Sequence, residues 1–143
     1  MRGVISLAVV AVAVVLSVAC GGAKEKSAAA ASGQVIELTT GLLERGGTDT
    51  VRFGRLNEGE IAVRSLTLHN ASDEPTVVVA HERSCGCVNV AYERRPIMPG
   101  ESCPVEFTFD SRGEFGWQLK LITLHLGAAG VPLKIYVEAE VEW

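Results

Sequence analysis

Apolar residues recur at every second position along most of the chain after its first 33 residues, and that period belongs to a strand, not to a helix. Val105, Phe107 and Phe109 alternate with Glu106 and Thr108. The stretches 117–126 and 133–141 carry further strand-forming residues and are joined by Gly127-Ala-Ala-Gly130. Shorter strands are expected at 35–38 and 51–56, and a β-branched run lies at 76–80. Ile61 and Val63 share one parity while Leu66 and Leu68 share the other, which predicts a bulge near Arg64-Ser65. Turn chemistry separates these runs. Asn70-Ala-Ser-Asp-Glu-Pro75 has turn composition, and Pro99-Gly100 suits the centre of a type II turn. No amphipathic helix longer than about two turns is visible after the leader. About seven short strands in about 110 residues predict an all-β domain, an immunoglobulin-like antiparallel β-sandwich. Its facing sheets are expected to bury Val105, Phe107, Phe109, Leu119, Leu121, Ile135 and Val137, with Trp117 in the core as well.

The N-terminus follows a different rule. Met1-Arg-Gly is a short basic start, and residues 4–19 are almost entirely Val, Ala, Leu and Ile. That run is shorter than the ~20 apolar residues of a membrane-spanning helix and suits a secretory signal. It ends Leu16-Ser-Val-Ala-Cys20-Gly-Gly. Small residues directly before a cysteine resemble the lipobox of bacterial lipoproteins, with Ser17 where leucine is usual. The resemblance implies that Cys20 is lipid-modified and begins the mature protein. It also implies a cell-envelope location, exported from the cytoplasm, with the membrane as partner. The division expected is a signal peptide over 1–19, a lipid-anchored tether over 20–33 and one domain over 34–143. Residues 21–32 hold no aromatic or large aliphatic side chain and cannot bury enough surface to fold alone. Loss of Arg2 with the leader leaves 12 basic residues against 17 acidic ones, without a basic cluster, which argues against nucleic acid as a partner.

The remaining chemistry centres on His81-Glu-Arg-Ser-Cys85-Gly-Cys87 and on Cys103. There is no Cys-x-x-Cys, no His-Glu-x-x-His, no Gly-x-Ser-x-Gly and no phosphate-binding glycine loop, so no catalytic residue is assigned. His69 and His125 oppose their apolar neighbours in parity and are expected on the wet face of their strands. Glu138, Glu140 and Glu142 follow the same outward alternation. Three thiols, Cys85, Cys87 and Cys103, leave an odd count in an oxidising compartment. One reading is a disulfide from Cys103 to Cys85 or Cys87, closing a loop worth about 3 kcal/mol by chain entropy. That reading expects Cys103 within bridging range of the pair and one free thiol. A bond within Cys-Gly-Cys is a tighter alternative. A soft-metal site for copper or zinc on His81, Cys85 and Cys87 is a third.

The series Gly59-Glu-Ile, Leu66-Thr-Leu-His-Asn70, Ser84-Cys-Gly-Cys87, Ile97-Met-Pro-Gly-Glu101, Val105-Glu-Phe-Thr-Phe-Asp110 and Gly116-Trp-Gln-Leu-Lys-Leu-Ile122 resembles domain-of-unknown-function family 1573. The resemblance covers about residues 51–141. It implies a bacterial envelope protein with an Ig-like fold and brings no biochemical activity. Cys103 is not a recognised position of that family. The reading reached is a non-enzymatic binding or structural module with an envelope partner and no cofactor. The alternative is a soft-metal or thiol-redox accessory built on the Cys-Gly-Cys cluster.

Overall fold

The computed structural model describes residues 30–143. Eight strands and one short helix follow in order: β1 (Ala30–Leu38), α1 (Thr40–Arg45), β2 (Gly47–Asn57), β3 (Ile61–Asn70), β4 (Val78–Arg83), β5 (Val88–Tyr92), β6 (Ser102–Asp110), β7 (Gly116–Leu126) and β8 (Val131–Glu142). They form two four-stranded sheets, ordered β1-β3-β6-β5 and β2-β8-β7-β4. The all-β sandwich expected from the alternation is therefore the fold. The strand β5, which follows Cys87 directly, was not anticipated from the sequence.

The sandwich is mixed where an antiparallel one was expected. β1 lies parallel to β3, and β2 lies parallel to β8, while the other four ladders are antiparallel. The cause is the route of the chain between sheets. β1 ends at Leu38 in one sheet, and α1 carries the chain across to begin β2 in the other. Each of these first two strands then adds to a strand formed much later in sequence. Thr39 caps α1 by accepting a hydrogen bond from the Leu42 N–H at 3.3 Å. Gly46 closes the helix at φ 83°, where a β-carbon would stand 2.4 Å from the Pro132 carbonyl oxygen, so glycine is required for both conformation and space.

Alternation decides what each strand buries. β6 turns Cys103, Val105, Phe107 and Phe109 inward, and β8 turns Leu133, Ile135, Val137, Ala139 and Val141 inward. Phe53 of β2 meets Phe109 of β6 across the sheets, with ring centroids 5.8 Å apart. Each large apolar side chain fully enclosed in this way contributes roughly 1.5–3 kcal/mol. The open sides are laced by polar side chains. Gln34 of β1 donates to Asp49 Oδ1 and to the Thr50 carbonyl of β2. On the other side, Arg83 of β4 donates to the Val88 carbonyl of β5 at 3.1 Å.

Three expectations about side-chain direction need correction. On β7 the buried positions are Ile122, Leu124 and Leu126, whereas Leu119 is exposed and Leu121 half-buried. Trp117 shares the outward parity of Leu119 and is 64% exposed. The β3–β6 register runs without a shift from Ile61↔Asp110 to His69↔Ser102, so no bulge sits at Arg64-Ser65 on that ladder. Arg64 instead takes an inward-parity place between Ala62 and Leu66, with its guanidinium 5.7 Å from the centre of the Phe53 ring. Register shifts fall instead between Ala31 and Gln34 on β1, between Arg52 and Gly54 on β2, and between Val78 and Ala80 on β4.

Candidate functional site: the Cys-Gly-Cys crossover

Cys85 and Cys87 lie on the link that carries the chain from β4 in one sheet to β5 in the other. The two cysteines are bonded to each other, with a Cα separation of 5.3 Å. Both are half-buried against the core, and Gly86 between them is exposed. Backbone bonds fix both ends of the link. The Ser84 N–H donates to the Leu121 carbonyl at 2.9 Å, and the Asp110 N–H donates to the Cys87 carbonyl at 2.8 Å. Ser84 Oγ also accepts from the Leu121 N–H at 2.9 Å.

Cys103 is the free cysteine among the described residues. It pairs with Leu68 at the start of β6, while the crossover meets β6 at its end, Asp110. Seven residues of strand separate the two levels, about 23 Å at a strand's rise. The expected clasp from Cys103 to Cys85 or Cys87 is thereby corrected. The two loops rim opposite ends of the sandwich, because the 93–101 connection returns at the far end. Cys103 is fully enclosed, and burial pushes its thiol pKa above the ordinary value.

His81 does not join the sulfurs. It points inward from β4, and its Nδ1 lies 3.1 Å from the Tyr92 hydroxyl of β5, the two rings meeting edge to face. With both thiols in a disulfide, the proposed copper or zinc ligands His81, Cys85 and Cys87 do not form a set. Among the described residues no three potential ligands gather around one point. The other histidines are also engaged. His69 Nδ1 is 3.0 Å from Ser102 Oγ, and His125 Nδ1 is 3.1 Å from the Gly130 carbonyl oxygen. Both oppose their buried neighbours in parity, as expected, and both are half-buried. Beside the crossover, hydrogen bonds from Arg112 hold Asp110 below the usual carboxylate range. A cleft of about 320 Å³ lined by Thr40, Leu43, Glu44, Ser72, Asp73 and Glu74 lies at the opposite end of the sandwich from the disulfide.

The sequence profile of a family described as a protein of unknown function, DUF1573, matches residues 45–141. The chain belongs to this family. Its fold is similar to that of a protein of unknown function from Porphyromonas gingivalis W83, with a TM-score of 0.57 and 18% identity over 64% of this chain and 43% of that one. It is also similar to the VesB protease of Vibrio cholerae, with a TM-score of 0.55 and 17% identity over 64% of this chain and 30% of that one. The chain thus spans less than half the length of either, and at such identity the likeness is one of fold alone. No curated protein matches it. The DUF1573 match covers every residue of the crossover and both strands it joins.

Two features of the site escaped the sequence reading. The sequence places Tyr92 in a loop, whereas it ends β5 and its hydroxyl engages His81. The exposure of Trp117 was missed as well. Parity counted back from Ile122, Leu124 and Leu126 places Trp117 outward, but Leu119 and Leu121 supply apolar residues at the other parity and obscure the count.

Proposed function

We propose that this DUF1573 protein is a membrane-anchored envelope lipoprotein whose Ig-like sandwich acts as a non-enzymatic binding or structural module. Cys20, which lies outside the described residues, is the anchor, and the signal over 1–19 is removed. Two or three acyl chains hold a protein to a bilayer where one is marginal. The observation that carries the module reading is the use to which reactive side chains are put. All three histidines are hydrogen-bonded partners within the sandwich, and the cysteine pair closes on itself. Side chains engaged with internal partners in this way are committed to the scaffold and not presented for chemistry. Contact with an envelope partner then falls to exposed strand edges or to the loops around Cys85.

Cross-linking and affinity capture of the lipidated protein from its own envelope test this reading. A stoichiometric protein partner is expected, and Cys20→Ser should release the domain from membranes. Capture of no partner, or a Cys20→Ser protein processed and membrane-bound as before, would overturn it.

A thiol-redox role is favoured by one observation, the disulfide across a single exposed glycine. In that role a dithiol passes two electrons and two protons to Cys85–Cys87, leaving two protein thiols and an oxidised reagent. Titration of the folded protein with a small dithiol, followed by thiol labelling, separates the readings. A redox centre exchanges in the native state at Cys85 and Cys87 while the enclosed Cys103 stays silent.

A further inference from the structure

We propose that one end of the sandwich, bearing Phe115, Trp117 and Trp143, docks on the surface of the membrane that holds the Cys20 anchor. This rests on the lipidation proposed above and adds to it an orientation and a contact face.

The surface is uneven in a way that solubility does not explain. Of eight large apolar side chains that stand exposed among the described residues, five lie at the end where β3, β7 and the crossover to β5 begin: Ile61, Phe115, Trp117, Leu119 and Trp143. They are 57%, 43%, 64%, 45% and 94% exposed. Phe115 and Trp143 stack with ring centroids 4.2 Å apart, which holds the pair as one flat apolar unit. Both tryptophans of the chain are here. The other three, Val35, Val79 and Met98, lie away from that end, and none is aromatic. A concentrated apolar patch marks a contact site, and tryptophan is the side chain most suited to the headgroup layer of a bilayer.

The length of the tether selects the membrane as occupant. β1 runs parallel to β3 and enters the fold with Ala30 opposite Arg64, three residues from the Ile61 end of that strand. Ten residues from Cys20 to Ala30 reach at most about 35 Å. The sandwich is about 40 Å long, from the twelve residues of β8 at a strand's rise. The aromatic end therefore lies within easy reach of the bilayer. The opposite end would meet it only with the tether stretched back along nearly the whole domain.

The charges around the rings leave an acidic excess, partly paired within the fold. Glu58 accepts from the Gly113 N–H at 3.0 Å, Glu114 pairs with Lys120 at 2.9 Å, and Arg55 lies 3.3 and 3.7 Å from Glu140 and Glu142. No basic excess faces the lipid, so the docking draws on apolar surface and interfacial rings. Anionic lipid is not required.

The two tryptophans make the test direct. The processed, full-length protein is reconstituted into phosphatidylcholine vesicles carrying bromine on the upper acyl carbons. Emission is expected to fall about twofold relative to unbrominated vesicles, and added salt should not restore it. The doubly substituted Phe115→Ser, Leu119→Ser protein keeps both tryptophans and every buried residue, and it should recover most of the lost emission. Protein that stays on washed vesicles with unquenched tryptophan overturns the docking and leaves the anchor standing. Protein that washes off removes the anchor, and the docking falls with it.

Discussion

At the Asn70 end of the sandwich a fully enclosed side-chain amide joins three backbone segments, while at the Cys85 end the surface is made of exposed rings. Asn70 Nδ2 donates to the Glu74 and Ile97 carbonyls at 2.8 and 2.7 Å, and its Oδ1 accepts from the Ser72 N–H and hydroxyl at 3.0 and 2.7 Å. Thr76 and Ile97 form a two-way backbone bridge beside it, and the Pro99-Gly100 turn closes with Glu101 N–H on the Met98 carbonyl. The other end has a smaller polar tie. Ser111 Oγ, also enclosed, lies 2.7 and 2.8 Å from the Asn57 and Glu60 carbonyl oxygens. Beyond that tie stand the short disulfide and the aromatic surface. The contrast teaches that one end of the fold is committed to stability, and that the other keeps surface available for contact.

The largest effect expected belongs to neither end. Phe107 sits midway along β6 with no exposed surface, and Phe107→Ala should cost roughly 3–5 kcal/mol in denaturant unfolding. That value sets the scale for the ends. Asn70→Ala should follow at roughly 2 kcal/mol, because four hydrogen bonds are lost and the Ser72 N–H is left without its acceptor, while the Ile97 and Glu74 carbonyls keep the Thr76 N–H and the Ser72 hydroxyl. A loss below about 1 kcal/mol would break the comparison by showing that the Asn70 end repacks freely.

Replacing both Cys85 and Cys87 with serine should cost only about 1.5 kcal/mol, since a three-residue ring removes little entropy from the unfolded chain. The same unfolding experiment checks it, run with and without a reductant. A much larger loss would move the disulfide into the group of stabilising features and weaken the case for a contact-bearing end. Trp117→Ser should change stability by no more than about 0.5 kcal/mol, because the ring stands out from the sheet face. A greater loss in thermal unfolding would mean that the aromatic end stabilises the fold, against the role given to it.

Much of this architecture is legible in the residues. The even spacing of Val105, Phe107 and Phe109 fixes the inner face of β6, and the Pro99-Gly100 pair fixes its preceding turn. The family series from Gly59 to Ile122 agrees with the profile match over 45–141. Arg64 shows where local pattern misleads. A charged residue in a strand reads as outward, yet its long aliphatic stem lets it occupy an inward position while the guanidinium rests over Phe53. Leu119 and Leu121 show the converse, since apolar residues at both parities leave the inner face undecided without the opposing sheet.

The cysteines divide the same way. Composition and spacing determined that three thiols follow Cys20, that an odd one must remain, and that Cys85 and Cys87 are close enough to bond. The partner of each was a matter of long-range geometry. The route of the 93–101 connection carries Cys103 to the far end of β6, about 23 Å of strand away from Asp110, and no local pattern encodes that distance. The parallel placement of β1 and β2 is of the same kind, because each pairs with a strand whose position depends on the whole fold. Alternation is a local property, set by the backbone's two-residue repeat, and so the sequence alone determined most of the strands and, where one parity is consistently apolar as on β6, the face they bury. Which strands meet, which ends of them coincide and which side chains are left uncovered depend on sheets closing over one another, and only the tertiary structure decided those.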